Sequence, residues 1–450
     1  MQKLLYELFR FISAAEYDRQ KRLTMAGNVV VWCLIFSAMF GLDTNQTMSY
    51  QIFSLLLAIL IISITCSCFF PGRFRARRII TRFATVGVKL KYRIIIENQT
   101  NQIQKGLQLE ENFVDPRPSF LVWQNTATFR EAKTNYLDQY LGYDRWQWLI
   151  ARRQCGKATM INLPTLPPNS KNEVICEIMP THRGIMRLAS ITVRRLDPFG
   201  LWNSLHNIVL PASILILPKL YQLPPIQLPG SRRYQSGGVA LASSVGDSEE
   251  FRSLREYRPG DPLRKIHWKS WAKVGKPVVK EEQDEFFVRH ALILDTFHPA
   301  PYSEILEEAV SIAASLGYQV QTQESLLDLM FVAQEAYCFT FGRGINSTDK
   351  MLEILASVVP CQDKPFTSIL PVVMEKISLL SGCICIFLHW DEARKQLVDY
   401  LHSRQVYTLI LIVSDQGKSL EDLSPQIMPD KFTRFHLLKL GQIGEDLMKL

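Results

Sequence analysis

The sequence lacks the cysteine spacings that mark zinc sites and disulfide frameworks. Its 450 residues include nine cysteines, an odd number, scattered along the chain. Cys66 and Cys68, like Cys383 and Cys385, alternate within apolar runs, where cysteine behaves as a small hydrophobic residue. We therefore expect free thiols in a reducing compartment, with neither disulfides nor zinc.

Signatures of catalysis are also missing. The sequence contains no nucleophile motif and no glycine-rich phosphate loop, so we expect neither a catalytic residue nor a cofactor. Apolar residues make up 47% of the chain and charged residues 21%, which is typical of a globular protein of several domains. The net charge is +8, and much of the excess lies at residues 73–93 and 246–281. A basic balance of this size suits nucleic acid, anionic lipid or acidic protein partners.

Two stretches, residues 26–42 and 52–70, carry no charge and are long enough to be membrane-spanning helices. The short linker between them has no Lys or Arg, whereas basic residues flank the pair on both sides. These are Arg19, Lys21, Arg22, Arg73, Arg75, Arg77 and Arg78. The positive-inside rule predicts a two-helix transmembrane hairpin with both flanks in the cytoplasm. The alternative is a pair of buried helices in a soluble domain.

Ahead of this hairpin, apolar residues recur at helical spacing, with Lys3, Glu7 and Arg10 between them. The apolar residues are Leu4, Leu5, Leu8, Phe9 and Ile12. The pattern is typical of a helix that lies on the inner leaflet or of one that packs on the protein, and the residues favour neither. We assign residues 1–80 to this helix and the hairpin.

Residues 81–220 change to β-branched, partly alternating segments with proline-bearing loops between them, which predicts a β-sandwich-like domain. The run 135–153 does not fit this pattern. Residues 221–285 are a linker followed by a charged segment. The linker proper, residues 217–230, is proline-rich and should be extended, and the Ser/Gly segment 236–248 should be mobile.

Residues 286–450 alternate continuous apolar runs with amphipathic segments, which predicts a Rossmann-type α/β domain whose parallel sheet is covered on both faces. Functional groups of such sheets collect at the carboxyl ends of the strands. Asp295, Asp391 and Asp415 fall at such ends.

Residues 246–281 combine dense charge of both signs with Tyr257, Trp268 and Trp271. Aromatic and arginine residues favour a protein-docking surface. An internally paired segment that joins two domains explains the same residues equally well. Acidic residues largely offset the basic ones, which argues against nucleic acid. Asp261 and His267 are the pair that a catalytic interpretation would use as orienter and base.

Several separated motifs resemble a bacterial family of membrane-anchored proteins known as domain of unknown function fifty-eight. They are the Asp197-Pro-Phe-Gly-Leu-Trp202 run, Leu217-Pro218, the segment Glu250 to Asp261, and Ile266-His267-Trp268. His267 stands where the family usually has Asp. The resemblance implies a two-helix anchor, a β-rich middle, a C-terminal domain like the von Willebrand factor A fold, and association with MoxR-type AAA ATPases. It brings no established reaction.

The von Willebrand A fold builds a metal site from Asp-x-Ser-x-Ser after its first strand, because a hard divalent cation prefers carboxylate and hydroxyl oxygens. The corresponding residues here begin at Asp295, and Phe297 and Pro299 replace both serines. Asp391 lies near the place of the family's later aspartate. We therefore expect a degenerate site at Asp295 and Asp391 that binds no metal.

The flanking charges predict a multi-pass membrane protein that faces the cytoplasm, and the resemblance implies an adaptor or scaffold in the bacterial inner membrane that docks a MoxR-type AAA ATPase. Its partners would be the lipid bilayer and that ATPase, not nucleic acid. The predicted interaction motif consists of Arg255, Tyr257, Gly260, Asp261 and Trp268. The alternatives are an envelope-associated hydrolase that uses Asp261 and His267, and a purely structural membrane protein.

Overall fold

The computed structural model contains two compact units, Met1–Lys219 and Leu220–Leu450. It describes residues 2–41, 47–70, 72–126, 141–224, 251–259, 261, 263, 266–282, 288–300, 302–321, 326–342, 348–415 and 433–450. Both units mix helix and sheet, as a multidomain chain of alternating β and helical patterns predicts.

The first unit opens with three helices, α1 (Gln2–Arg22), α2 (Met25–Gly41) and α3 (Thr47–Cys68). The two uncharged stretches are thus helical, and α2 contacts α3. Among the described helices, one segment, Met48–Cys68, is long and apolar enough to cross a membrane. The apolar part of α2, Met25–Met39, is shorter. This composition hints at membrane association.

Two sheets follow the helices and share one apolar core. Their strands are β1 (Phe74–Ile79), β2 (Phe83–Thr85), β3 (Leu90–Asn98), β4 (Leu107–Phe113), β5 (Gly156–Ala158), β6 (Ile161–Asn162), β7 (Lys171–Pro180), β8 (Gly184–Leu196) and β9 (Asn203–Leu217). One sheet has the order β1-β3-β7-β5 and the other β2-β9-β8-β4-β6. Ile94 and Ile178 from the first sheet meet Ile191 and Ile214 from the second in the core. The alternating apolar residues of these strands are buried there, as two facing sheets require.

Helices α4 (Phe120–Asn125) and α5 (Tyr143–Arg153) interrupt the strands of this unit. The latter occupies most of the run 135–153 that did not fit a β pattern, and residues 135–140 lie outside the described residues. Gly142 precedes α5 with a φ of 67°, in the left-handed region, and its carbonyl accepts a hydrogen bond from Trp123 Nε1 at 3.1 Å. Trp123 and Trp146 pack together with Tyr6 of α1. The extra helices thus form a small aromatic core under α1.

The turn between β8 and β9 joins the sandwich to the helices. Asp197 accepts hydrogen bonds from the backbone N–H groups of Phe199 and Trp202 and from Ser63 Oγ of α3, the last at 2.7 Å. Thr24, just before α2, donates to the carbonyl oxygens of residues 200 and 201. The Asp197 carboxylate therefore stabilises the turn between β8 and β9. The same turn bonds to α3 through Ser63 and to the N-terminal end of α2 through Thr24. Burial opposes ionisation, and these hydrogen bonds outweigh it and lower the pKa of Asp197.

The second unit contains β10 (Phe251–Glu256), α6 (Trp268–Val274), β11 (Val278–Glu282), β12 (Arg289–Leu294), α7 (Glu304–Gln321), β13 (Leu326–Val332), β14 (Ala336–Phe341), α8 (Thr348–Ser357), α9 (Leu370–Lys376), β15 (Gly382–Phe387), α10 (Glu392–Ser403), β16 (Tyr407–Ser414), β17 (Thr433–Lys439) and α11 (Ile443–Leu447). Strands β10 and β11 form an antiparallel pair. The other strands form one sheet of six in the order β14-β13-β12-β15-β16-β17.

This sheet agrees with the predicted α/β alternation except at one edge. Strands β13, β12, β15, β16 and β17 are parallel, whereas β14 is antiparallel to β13. The predicted parallel sheet thus has one antiparallel edge strand, β14, which forms a short hairpin with β13 and was not predicted. Leu217, the first residue of the proline-rich linker, ends β9, and the following described residues, 218–224, contain neither helix nor strand. Tyr221 within it donates to Glu308 of α7 at 2.6 Å. The segment 236–248 lies outside the described residues.

Candidate docking surface and the carboxyl edge of the sheet

The charged segment is built around the β10–β11 pair. Ile266 forms an isolated bridge to Val279, and the His267 N–H donates to the Val278 carbonyl at 2.9 Å. The Tyr257 N–H donates to the Pro277 carbonyl at 2.9 Å. The residues just before α6 are thus hydrogen-bonded to β11, which fixes the position of the start of the helix. Of the predicted interaction residues, Gly260 lies outside the described residues.

Arg255 and Asp261 form the polar centre of this segment. The guanidinium donates from both terminal nitrogens to the two carboxylate oxygens, each at 2.7 Å, and the Arg258 N–H adds a bond of 2.9 Å. A bidentate arginine–carboxylate pair fixes the relative orientation of the two side chains better than a single hydrogen bond does. These bonds from Arg255 and Arg258 lower the pKa of Asp261 to about 2. Asp261 is therefore ionised at neutral pH, and its carboxylate links the Arg255 side chain to the Arg258 backbone.

The aromatic residues of the segment lie on α6. The rings of Trp268 and Trp271 stack at a centroid distance of 5.1 Å with an interplanar angle of 20°. Trp268 is nevertheless 64% exposed, and Leu263 and Val274 nearby in the sequence are exposed to a similar extent. Trp268 is therefore restrained by its stacking on Trp271 and by the hydrogen bond between the start of α6 and β11. Restrained, exposed tryptophans are the kind of residue that anchors protein interfaces.

The pair that a hydrolase would use is not assembled within the described residues. The His267 ring bonds to Ser270 Oγ at 2.7 Å, while Asp261 bonds to Arg255 and Arg258. His267 and Asp261 share no hydrogen bond in this part of the structure. His267 thus contacts the first turn of α6.

The second candidate region lies at the carboxyl edge of the six-stranded sheet, where the strand order reverses between β12 and β15. Such a switch point is where open α/β sheets usually bind ligands. Asp295 follows β12 here and is fully buried. It accepts hydrogen bonds from the Phe297 N–H at 3.0 Å and the Leu388 N–H at 3.1 Å. Asp391 caps α10 by accepting from the Arg394 N–H at 3.0 Å. Asp415 follows β16 further along the same edge.

Arg394 joins the first two carboxylates, and sequence reasoning missed it. It is 1% exposed, and its Nε donates to Asp295 Oδ2 at 2.8 Å while Nη1 bonds to Asp391 Oδ2. Its guanidinium lies over the Phe366 ring, 4.5 Å from the centroid. The sequence did contain a signal, because position 394 continues the buried stripe of α10. The rest of that stripe is Leu397, Val398 and Leu401. An arginine on a buried stripe requires a carboxylate partner.

The residues at this edge do not fit a divalent cation. Phe297 and Pro299 offer no side-chain oxygen, and the two carboxylates already share a fixed positive charge. Within the described ranges, no group of three or more His, Cys, Asp and Glu side chains is placed to hold a metal ion. His389 lies 3.5 Å from Asp391, and burial followed by the positive charge of Arg394 lowers the pKa of His389. The arrangement is an internally paired cluster in which one guanidinium bonds to two carboxylates.

Comparison with known proteins agrees with part of the sequence resemblance. Residues 253–378 match the family described as "Protein of unknown function DUF58". An uncharacterized protein of Bacillus subtilis (strain 168), YeaD, is 28% identical over 182 residues, which are 40% of this chain and 44% of YeaD. The chain thus spans less than half the length of that relative.

Among solved structures, an exo-β-N-acetylglucosaminidase from Vibrio harveyi aligns over 80% of this chain and 60% of its own. Its identity is 9% and its TM-score 0.13, which carries no argument about fold or activity. The family match, by contrast, includes the described motif residues 255, 257, 261 and 268 and ends before Arg394. Residues 253–378 are therefore similar to a family of unknown function, and the similarity covers the charged segment and the first part of the α/β domain.

Proposed function

We propose that the protein is a membrane-anchored, cytoplasm-facing adaptor that docks another protein through the charged segment. The single observation that carries this proposal is the exposed Trp268, stacked on Trp271 and held on a helix that is fastened to β11. Large apolar side chains that are both rigid and exposed are expensive to keep on a surface without a partner. The Arg255–Asp261 pair supports the proposal, because it holds the chain between β10 and α6 against β10.

The anchor in this proposal is a two-helix hairpin made of α2 and α3. The apolar composition of both helices supports it, as does their mutual contact. Basic residues on the two flanks favour cytoplasmic ends, and so a multi-pass protein of the bacterial inner membrane. A reporter that becomes active outside the membrane when fused after Leu450 would contradict this orientation.

The partner we propose is a MoxR-type AAA ATPase, on the strength of the family resemblance. The sheet order of the α/β domain, with its switch point between β12 and β15, supports the companion proposal of a von Willebrand A-like fold. At the carboxyl edge of this sheet, Arg394 bonds to both Asp295 and Asp391. In this proposal the domain engages its partner through side chains, without a bound cation.

Co-purification tests the adaptor function. The full chain, extracted in mild detergent, should recover an AAA ATPase well above the level found with an unrelated inner-membrane protein of similar abundance. Equal recovery from both would remove the main support for the proposal. Substituting Asp261→Ala and His267→Ala singly separates adaptor from hydrolase, because a hydrolase would lose activity while keeping its fold and its partner.

A further inference from the structure

Helix α1 has two apolar faces. At about 100° per residue, Tyr6 and Phe9 lie on one side of the helix, while Leu4, Leu8 and Phe11 lie on the opposite side. The apolar residues that looked like one stripe in the sequence are thus divided between two surfaces. Each surface needs its own covering.

The first face is packed on the protein. Tyr6 is buried, and its hydroxyl donates to the Pro118 carbonyl at 3.1 Å. The Tyr6 ring lies 5.5 Å from that of Trp146, and Phe9 lies 6.2 Å from Trp123. These edge-on aromatic contacts fix the rotation of α1 about its axis. The direction in which the second face points is therefore fixed as well.

The second face is open. Leu4 is 71% exposed and Phe11 73%, and Leu8 and Ile12 are each about half exposed. Four large apolar side chains within three turns are more than the scattered exposure normal for a soluble surface. No described residue of the first unit buries them.

The C-terminal end of α1 lies beside the N-terminal end of α2 and the C-terminal end of α3. Only Leu23 and Thr24 separate α1 from α2. The side chain of Asn203 donates to the Lys21 carbonyl at 3.1 Å, and the adjacent Ser204 donates to the Ser67 carbonyl at 2.8 Å. Two consecutive residues of β9 therefore hold the last turn of α1 and the last turn of α3. Both turns lie at one level of the protein.

We infer that α1 lies in the plane of the membrane, with the face formed by Leu4, Leu8, Phe11 and Ile12 buried at the headgroup–acyl boundary of a phospholipid bilayer. This inference rests on the proposed membrane anchor. If α2 and α3 cross the bilayer, the level shared by Lys21 and Ser67 is its cytoplasmic interface, and the C-terminal end of α1 lies at that level. A helix with one apolar face and a basic end is the type that binds there. Arg19 and Arg22 supply the basic end, whereas Lys21 bonds to Asn112 of β4.

Photo-crosslinking from single positions tests this inference in the full chain. Benzoylphenylalanine replaces Phe11 on the open face, Arg10 on the polar flank, or Trp32 of α2. Each protein is reconstituted into vesicles of phosphatidylcholine and phosphatidylglycerol, irradiated, and analysed by mass spectrometry for phospholipid adducts. Trp32 reports on the anchor itself, and Arg10 is the matched control one residue from Phe11.

The expected result is a lipid adduct at Phe11 with a yield within about twofold of that at Trp32 and about tenfold above that at Arg10. Adducts at Trp32 without adducts at Phe11 would overturn the inference and leave the anchor standing. A crosslink from Phe11 to a second copy of the chain would also overturn it, because the face would then be a dimer contact. Absence of adducts at Trp32 would overturn the anchor and the inference together.

Discussion

Replacing Arg394 by Met tests the buried ion-pair cluster at the sheet edge. The substitution keeps an unbranched apolar side chain and removes the guanidinium that lies over Phe366 and bonds to Asp295 and Asp391. Asp295 is fully buried, so it would be left as an ion with only its two backbone N–H donors. Removing one partner of a buried ion pair typically costs about 3–5 kcal/mol.

The expected effect on thermal unfolding follows from this loss. For a unit of this size, each 1 kcal/mol moves the midpoint by about 2–4 °C, so Arg394→Met should lower it by about 6–20 °C. Lys395→Met is the matched control on α10, since Lys395 is partly exposed and its only described ion pair, with Glu392, is 4.0 Å long. A surface change of this kind should alter the free energy of unfolding by no more than about 0.5 kcal/mol.

Differential scanning calorimetry of the full chain in mild detergent measures both midpoints. The double variant Asp295→Asn with Arg394→Met should be more stable than Arg394→Met alone, because it removes the unpaired charge. If Arg394→Met unfolds within about 2 °C of the parent, the cluster is not the buried pair that its geometry implies.

Three further predictions concern other parts of the chain. Asp197→Ala should lower the free energy of unfolding by about 1–3 kcal/mol, because it leaves the Ser63 hydroxyl and two backbone N–H groups without their acceptor. Asp197→Asn keeps one acceptor oxygen and should lower the free energy of unfolding less. Denaturant titration compares the two variants. The pKa of Asp261 is about 2, below the ordinary 3.8. Its ion pair with Arg255 therefore stabilises the fold above about pH 4, and this stabilisation is lost as the pH falls through about 2. Arg255→Gln should raise the pKa of Asp261 toward 3.8, as measured by carbon-13 NMR of the carboxyl group. Gly142→Ala should lower the thermal midpoint, because the residue has a positive φ and an added Cβ would lie 2.9 Å from the Trp123 ring, whereas Gly200→Ala, also at positive φ but with open space, should lower it less.

Much of the fold follows from periodicity in the sequence. Uncharged runs predicted α2 and α3, and the alternation of apolar strands with amphipathic helices predicted most of the second unit. Strand β14 was missed because its hairpin depends on pairing with β13, which a local pattern does not reveal. Helix α5 was hard to identify because its stabilising partner, Tyr6, lies far away in the sequence.

The candidate site was less predictable than the fold. Sequence reasoning placed Asp295 and Asp391 at strand ends and expected no metal, but it did not see that Arg394 bonds to both. The pairing depends on strands brought together by the sheet, and only the buried stripe of α10 indicated it. The sequence also left the covering of α1 open. The rotation of the helix, which Tyr6 fixes, separates the two apolar faces.

The most direct test of the adaptor compares the recovery of the AAA ATPase by two variants. Trp268→Ser removes the exposed ring of the docking surface, and Val359→Ser removes an apolar side chain that is 56% exposed elsewhere in the same unit. Quantitative mass spectrometry after co-purification in mild detergent should show Trp268→Ser reduced by about tenfold or more, as loss of an interface anchor implies, with Val359→Ser unchanged. Equal recovery of the ATPase by both variants and the parent would contradict docking through the charged segment.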